Sequence, residues 1–360
     1  MKRITSIDSL RAFALLGILI IHARQGFGVG GVEYVNTIDI VCGGGVKLLF
    51  ENRFALIFNI LFGVSFYIIL GKKDYPASKF VWRCFLLAML GLLNRLFFNN
   101  DVLFKYGICG MLLVFIRNLS NKRIYVLIGV LMVLGLWLKG LDFGNRINLT
   151  TRYIRDISML QFFKSYPLSL LMLVKQFLNG DFILIYANMA IGYVLGRIGF
   201  VESMDKCIES RHVFLSLTIY AVLGMICYGS PYVGFRMNHF IRVFTLNLFW
   251  YSGAAFYWLF FIWLYNHVKW FHKLSSLFEA YGKCGLTNYS MQGFLGILIF
   301  YYAGIGYWGL SYSVVLSGSI VFFIIQALFC AVWLSYFKNG PLEYLWRCAT
   351  ERKWLPLVKR

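Results

Sequence analysis

The chain has 360 residues, 60% of them hydrophobic and 19% aromatic but only 14% charged. Its mean hydropathy is +0.70, and since a soluble domain carries about 25% charged residues, an ordinary soluble globule is excluded. The formal net charge of +20 would suit nucleic acid, but Lys and Arg are scattered over nearly every loop instead of gathered on one surface, which excludes a nucleic-acid partner and suits an anionic lipid bilayer.

A spanning helix needs about 20 mostly apolar residues. That ruler places about ten helices, near 9–28, 46–70, 80–98, 102–117, 123–140, 182–200, 213–229, 242–265, 286–306 and 312–337. The fold expected is all-α: a polytopic membrane helix bundle, 1–360 as a single transmembrane domain. Within it, 141–181 forms a long connection whose segment 166–178 is too short to span and reads as interfacial or re-entrant, and 338–360 forms a cytoplasmic tail. The first apolar run follows Lys2, Arg3 and Arg11, but His22-Ala23-Arg24 offers no small-x-small cleavage site, so the run is kept as a spanning helix and not a signal peptide. Lys and Arg concentrate at the amino terminus, in the loops after helices two, four, six and eight, and in the tail, which places both termini in the cytoplasm. The eight cysteines include no C-x-x-C pair and lie mostly in apolar runs, so they read as small core residues, with no metal site or disulfide framework expected.

The first helix carries Asp8, Arg11 and, eleven residues on, His22. Eleven steps of 100° return to within about 20° of the same face and about 16 Å along the axis. Arg11 then lies near the cytoplasmic surface, beside Asp8 at i,i+3, and His22 lies deep or toward the outer side; such polar groups usually face a bundle interior or a wet cavity. A neutral imidazole suits a general base for a hydroxyl or amine, and an arginine suits the phosphates of a cytoplasmic acyl donor, so His22 is the catalytic candidate and Arg11 with Asp8 the donor side. The plainer alternative makes Arg11 an interfacial anchor paired with Asp8, and His22 a cap at the helix end. Arg53, Asn94, Arg95 and Asp101 also fall in the outer half, and Arg53, Asn94 and Asp101 are candidates for an acceptor pocket; the plainer alternative is loop and helix-end polarity, which suits Arg95 and Asp101 best. In helix nine the i,i+4 spacing puts the amides of Asn288 and Gln292 on one face, as polar lining or as interhelical hydrogen bonds. His212, His239, His267 and His272 lie in loops or at helix ends and read as surface groups.

Several blocks resemble the YeiB-like membrane proteins, domain of unknown function 418. They are Asp8-x-x-Arg11 with Ala14 to Leu19, Arg53 to Gly63, Asp101-Val102-Leu103, Gly285-Leu286-Thr287-Asn288-Tyr289-Ser290-Met291-Gln292 and Gly340-Pro341-Leu342-Glu343-Tyr344-Leu345-Trp346-Arg347. The family is similar in fold to a wider group of transmembrane acyltransferases, among which the acyltransferase-3 proteins carry Arg, ten residues, then His on the first helix, as Arg11 and His22 stand here. The resemblance implies a bacterial inner-membrane location and, by fold-level analogy, acyl transfer. Two positions depart from the YeiB-like pattern, which has Asn where His22 stands and His where Asn94 stands; the exchange leads us to expect the two side chains to face one another. The family's Lys at the start of helix two is Arg53 here. Glu343 and Arg347 match the tail motif, as a structural lock or, less favoured, a donor-side contact.

The function expected is therefore transfer of an acyl group, acetyl among the candidates, from cytoplasmic acyl-coenzyme A to a hydroxyl or amine on a glycan, lipid or small molecule. Acyl-coenzyme A is the co-substrate, no metal is expected, and a homo-oligomer is compatible with the sequence. The rival readings are a transporter or flippase whose charges line a pathway, and a non-catalytic membrane scaffold.

Overall fold

The computed structural model describes residues 5–28, 32–71, 75–96, 98, 101–142, 166–229, 237–300 and 310–358. Helix α1 (Thr5–Arg24) runs through the centre of the bundle, with Leu10, Leu15 and Leu19 fully buried. The expected helix 46–70 needs correction. The chain is already helical from Thr37, as α2 (Thr37–Phe50), and breaks before α3 (Arg53–Leu70) at Asn52, whose φ of 62° is left-handed. The two segments cover 34 residues, about 51 Å of helix at 1.5 Å per residue, too long for one straight crossing of a core about 30 Å thick. The early start has a local cause: Asn36 caps α2 with its side chain on Asp39 N, and Asp39 returns the bond, a capping box. Asp39 also accepts from Ser311 Oγ (2.6 Å) and Ser313 N (2.8 Å). It thereby fastens α2 to a two-residue parallel strand pair, Val32–Glu33 with Leu310–Ser311.

Next come α4 (Ala77–Asn94), α5 (Leu103–Leu112, extended to Ile116 by a 3₁₀ turn), α6 (Asn121–Leu141), α7 (Tyr166–Leu178) and α8 (Asp181–Arg197). Helices α7 and α8 are bent by 71° at their junction, where Gly180 takes a φ of +75° that suits glycine. The segment 166–178 thus belongs to a bent pair with the geometry of either a broken span or a re-entrant loop; the polar stretch 143–165 lies outside the described residues. The remaining helices are α9 (Phe200–Cys207), α10 (Ser210–Gly229), α11 (His239–His267), α12 (Lys269–Leu277), α13 (Glu279–Lys283), α14 (Gly285–Phe300), α15 (Tyr312–Tyr336) and α16 (Pro341–Glu351).

Among the described residues, seven helical stretches are long and apolar enough to cross a membrane, or eight if the α7–α8 pair forms one span. Of the two remaining expected spans, α5 with its 3₁₀ turn is a shorter apolar helix, and α14 is described for 16 residues, the rest of its expected range lying outside the described residues. The chain is an all-α, multi-pass membrane protein. Five cysteines are buried, as expected of small core residues, whereas Cys42 and Cys227 are half-buried and Cys207 is exposed.

Small residues let backbones approach closely inside the bundle. A Cβ at Gly63 of α3 would strike the Met189 carbonyl of α8, and one at Gly192 of α8 would strike the Ile60 carbonyl of α3.

The amphipathic α16 closes one end of the bundle. Glu343 Oε1 accepts from the backbone N–H of Leu286 (2.6 Å) and Thr287 (3.0 Å), and its Oε2 from Thr287 Oγ (2.6 Å), so it satisfies the amino end of α14 from another helix. Burial pushes the Glu343 carboxyl up from its ordinary value, while the bonds from Thr287 and Leu286 hold it down. Arg83 stacks on the Trp346 ring at 3.8 Å, and Lys79 pairs with Glu351 at 2.6 Å, the hydrogen bond from Lys79 lowering the Glu351 carboxyl. Of the two tail-motif residues, Glu343 ties α16 to α14 through its three hydrogen bonds, as a structural lock would, and Arg347 is exposed. Replacing Glu343 by Ala orphans three donors and is expected to cost about 2–4 kcal/mol. Thermal unfolding of the purified protein in detergent would show a lowered midpoint; an unchanged midpoint would refute the lock.

Candidate functional site

The carboxyl-terminal part of α1 brings His22 into the bundle, where it is 7% exposed. Its Nδ1 lies 2.7 Å from Gln292 Oε1 of α14. The ring packs against Phe98, with centroids 4.5 Å apart, and Tyr289, 5.9 Å apart. The orientation assigned to the Gln292 amide presents its oxygen, so Nδ1 carries the proton and Nε2 keeps its lone pair. Gln292 is fully buried, and its Nε2 has no hydrogen-bond partner among the described residues.

His22 lines a polar cavity of about 300 Å³. Its walls include Ile18 and Ile21 of α1 with the following Gln25, Asn59 of α3 with the preceding Asn52, and Lys105 and Tyr106 of α5. They continue through Lys139 of α6, Gln176 of α7, Asp181 and Asn188 of α8, Asn247, Trp250 and Tyr251 of α11, and Tyr289 of α14. Three internal bonds order this wall. Tyr106 OH donates to Asn59 Oδ1, Tyr251 OH donates to Asn188 Oδ1 at 2.8 Å, and Lys139 pairs with Asp181 at 3.3 Å.

The sequence candidates divide. His22 and Gln292 are brought together, and Arg11 shares the α3-facing side of α1, reaching Ser65 Oγ at 2.8 Å while also bonding Asp8 at 2.8 Å. Arg11 is not part of the His22 cavity. Arg53 is completely buried against Phe249 (4.4 Å) and Tyr220 (5.2 Å), with Nη1 donating to the Glu51 carbonyl; its neighbour Asn52, not Arg53, reaches the cavity wall. Asn94 donates to Asp101 Oδ1 at 2.8 Å, Asp101 Oδ2 accepts from Phe104 N, and Arg95 donates to the Asp101 carbonyl at 3.4 Å. This buried set joins α4 to α5 and stands behind the cavity instead of lining it. Among the described residues no hydrogen bond joins His22 to Asn94; Phe98, one turn beyond Asn94, packs against the imidazole. Asn288 is spent on the Tyr281 carbonyl (2.9 Å) and Cys330, so of the two helix-nine amides only Gln292 meets His22. The other four histidines are exposed or half-buried.

Sequence reasoning missed Asn59, Lys105, Lys139, Gln176, Asp181 and Asn188. The available signal was a polar residue inside an apolar run, strongest for Lys105 in Val102–Ile116.

These features define a class: a multi-pass helical membrane protein with a polar, histidine-bearing cavity inside the bundle. The family model described as "Protein of unknown function (DUF418)" matches residues 195–353, a stretch that holds Gln292 and Glu343. "Uncharacterized protein YeiB" of Escherichia coli (strain K12) is similar at 25% identity over 403 residues, covering 100% of this chain and 99% of its own. "Uncharacterized protein YxaH" of Bacillus subtilis (strain 168) is similar at 22% over 397 residues, covering 100% and 97%. A Bacillus acidopullulyticus protein, "Uncharacterized 39.9 kDa protein in amylase 3'region", is 24% identical over 379 residues, covering 99% and 96%. The family match and these end-to-end relatives support the assignment read from the motifs, the YeiB-like DUF418 family.

Proposed function

We propose that the protein is an integral-membrane acyltransferase of the bacterial inner membrane, with both termini cytoplasmic and about ten helical passes once the two short helices and the broken pair are counted. The observation that carries this reading is the buried His22 imidazole, oriented by Gln292 at the wall of a polar cavity. A neutral imidazole whose second nitrogen is fixed by a hydrogen bond is poised to act as a general base. In the reaction, His22 Nε2 takes the proton of an acceptor hydroxyl or amine as that oxygen or nitrogen attacks the thioester carbonyl of acyl-coenzyme A. The new C–O or C–N bond forms, the C–S bond breaks, and the proton passes to the departing thiolate. The donor phosphates approach from the Arg11 side, where they compete with Asp8 and Ser65 for the guanidinium.

The test is binding and hydrolysis of acetyl-coenzyme A by the purified protein in nanodiscs. Wild type is expected to bind and slowly hydrolyse it, and Arg11→Ala to weaken binding severalfold; well-folded wild type that binds no donor overturns the reading. The alternative, a transporter or flippase, draws on the 71° break between α7 and α8 beside the cavity, since broken helices often form transport sites. It requires substrate flux without chemical modification.

A further inference from the structure

The cavity wall is rich in hydrogen-bond donors that have no partner among the described residues. Lys105 is 7% exposed and, among the described residues, makes no hydrogen bond or ion pair, although its side chain lines the cavity. The charges that bear on it are those of Asp181 and Asp101, which attract, and Arg95, which repels. Both acids are already engaged, Asp181 by Lys139 and Asp101 by Asn94 and the Phe104 N–H. A lone ammonium this deeply buried is costly unless a counter-charge comes from elsewhere.

Further donors surround it. Asn59 and Asn188, 6% and 1% exposed, spend their oxygens on Tyr106 and Tyr251, so their NH₂ groups remain. The buried Trp250 Nε1 has no partner among the described residues. Acceptors are fewer: Gln176 Oε1 is unpaired among the described residues, and Asn247 spends its amide NH₂ on the Val243 carbonyl, which leaves its oxygen. The volume of about 300 Å³ falls at the low end of ligand cavities, about 300–1,000 Å³, and suits one ring. An indole beside amide donors matches the apolar face and hydroxyl rim of a pyranose.

We propose that this cavity binds an anionic, polyhydroxylated ligand of one sugar ring, its phosphate or carboxylate on Lys105 and its hydroxyls on Asn59, Asn188 and Trp250. That such a ligand is the acyl acceptor of His22 rests on the function proposed above; its binding does not.

The experiment titrates glucose 6-phosphate, glucuronate, glucose and inorganic phosphate into the full-length protein in nanodiscs, read by tryptophan fluorescence and thermal shift. At least one anionic sugar is expected to bind tenfold or more tighter than glucose and than inorganic phosphate, and which of the two binds tells phosphate from carboxylate. Lys105→Ala should weaken that ligand tenfold or more, and Lys105→Arg should retain most of it. Glucose binding equal to both anionic sugars, inorganic phosphate binding equal to the tighter of them, no binding of any probe, or Lys105→Ala without effect each overturns the proposal. The comparison of ligands on wild type stands even if a variant misfolds. Sugar binding through Lys105 in a protein that binds no acyl-coenzyme A would sink the acyltransferase reading alone.

Discussion

Gly192→Leu is expected to leave little or no assembled protein in the membrane. At this position the backbone of α8 approaches the backbone of α3 so closely that the first side-chain carbon already meets the Ile60 carbonyl, and Gly63 stands in the same relation to the Met189 carbonyl. A backbone carbonyl cannot swing aside as a side chain does, so the helices must separate along their whole shared face. Within lipid the loss is not offset by a hydrophobic drive to reassociate, because helix packing there depends on close van der Waals contact. Overpacking typically costs about 1–3 kcal/mol for small additions. Gly192→Ala should therefore survive with a lowered unfolding midpoint, and the leucine variant should appear as aggregate or degraded chain. Size-exclusion profiles of the solubilised proteins check this; a monodisperse leucine variant with the wild-type midpoint would refute the close approach. The damage would also reach the cavity, because Asn59 and Asn188 stand one helical turn before the two glycines.

His22→Ala should lower acyl transfer by about 10²–10⁴-fold, the usual contribution of a positioned general base, while acetyl-coenzyme A binding stays near wild type. Gln292 is a positioning residue in this scheme, since it touches the imidazole and not the reacting atoms. Gln292→Leu removes the acceptor that keeps the proton on Nδ1, and about tenfold loss in kcat is expected with KM for the donor unchanged. A uniform loss of binding and turnover in both variants would instead mark a packing defect. Turnover retained in His22→Ala would exclude the histidine as base.

Much of the bundle was legible because long apolar runs report spanning helices directly; α1, α3, α6, α11 and α15 each correspond to an expected span. The broken start of α2–α3 was harder, because Asn36 and Asp39 act through a capping box that a twenty-residue hydropathy ruler does not register. At the site, the spacing singled out His22 as a polar group in an apolar helix, and the amide spacing in α14 brought Gln292 into view. The pairing of His22 with Gln292 across 270 residues, and the convergence of Asn59, Lys105 and Asn188 from three helices, depend on packing that periodicity does not encode. Arg53 misled for a physical reason: a charged residue at a helix start resembles a ligand contact, yet here aromatic faces hold it.

The bond from Glu343 to the amino end of α14 also bears on how the protein is made. The acceptor for the Leu286 N–H follows it by 57 residues, with the whole of α15 synthesised in between. During translation α14 must therefore enter the insertion machinery with its first amide groups open to water or lipid headgroups. They are sealed only after α15 has threaded and α16 has emerged to fold back. Biogenesis thus includes a late docking step, and a nascent chain stalled before Glu343 would present an unlatched bundle end to the membrane's quality-control proteases.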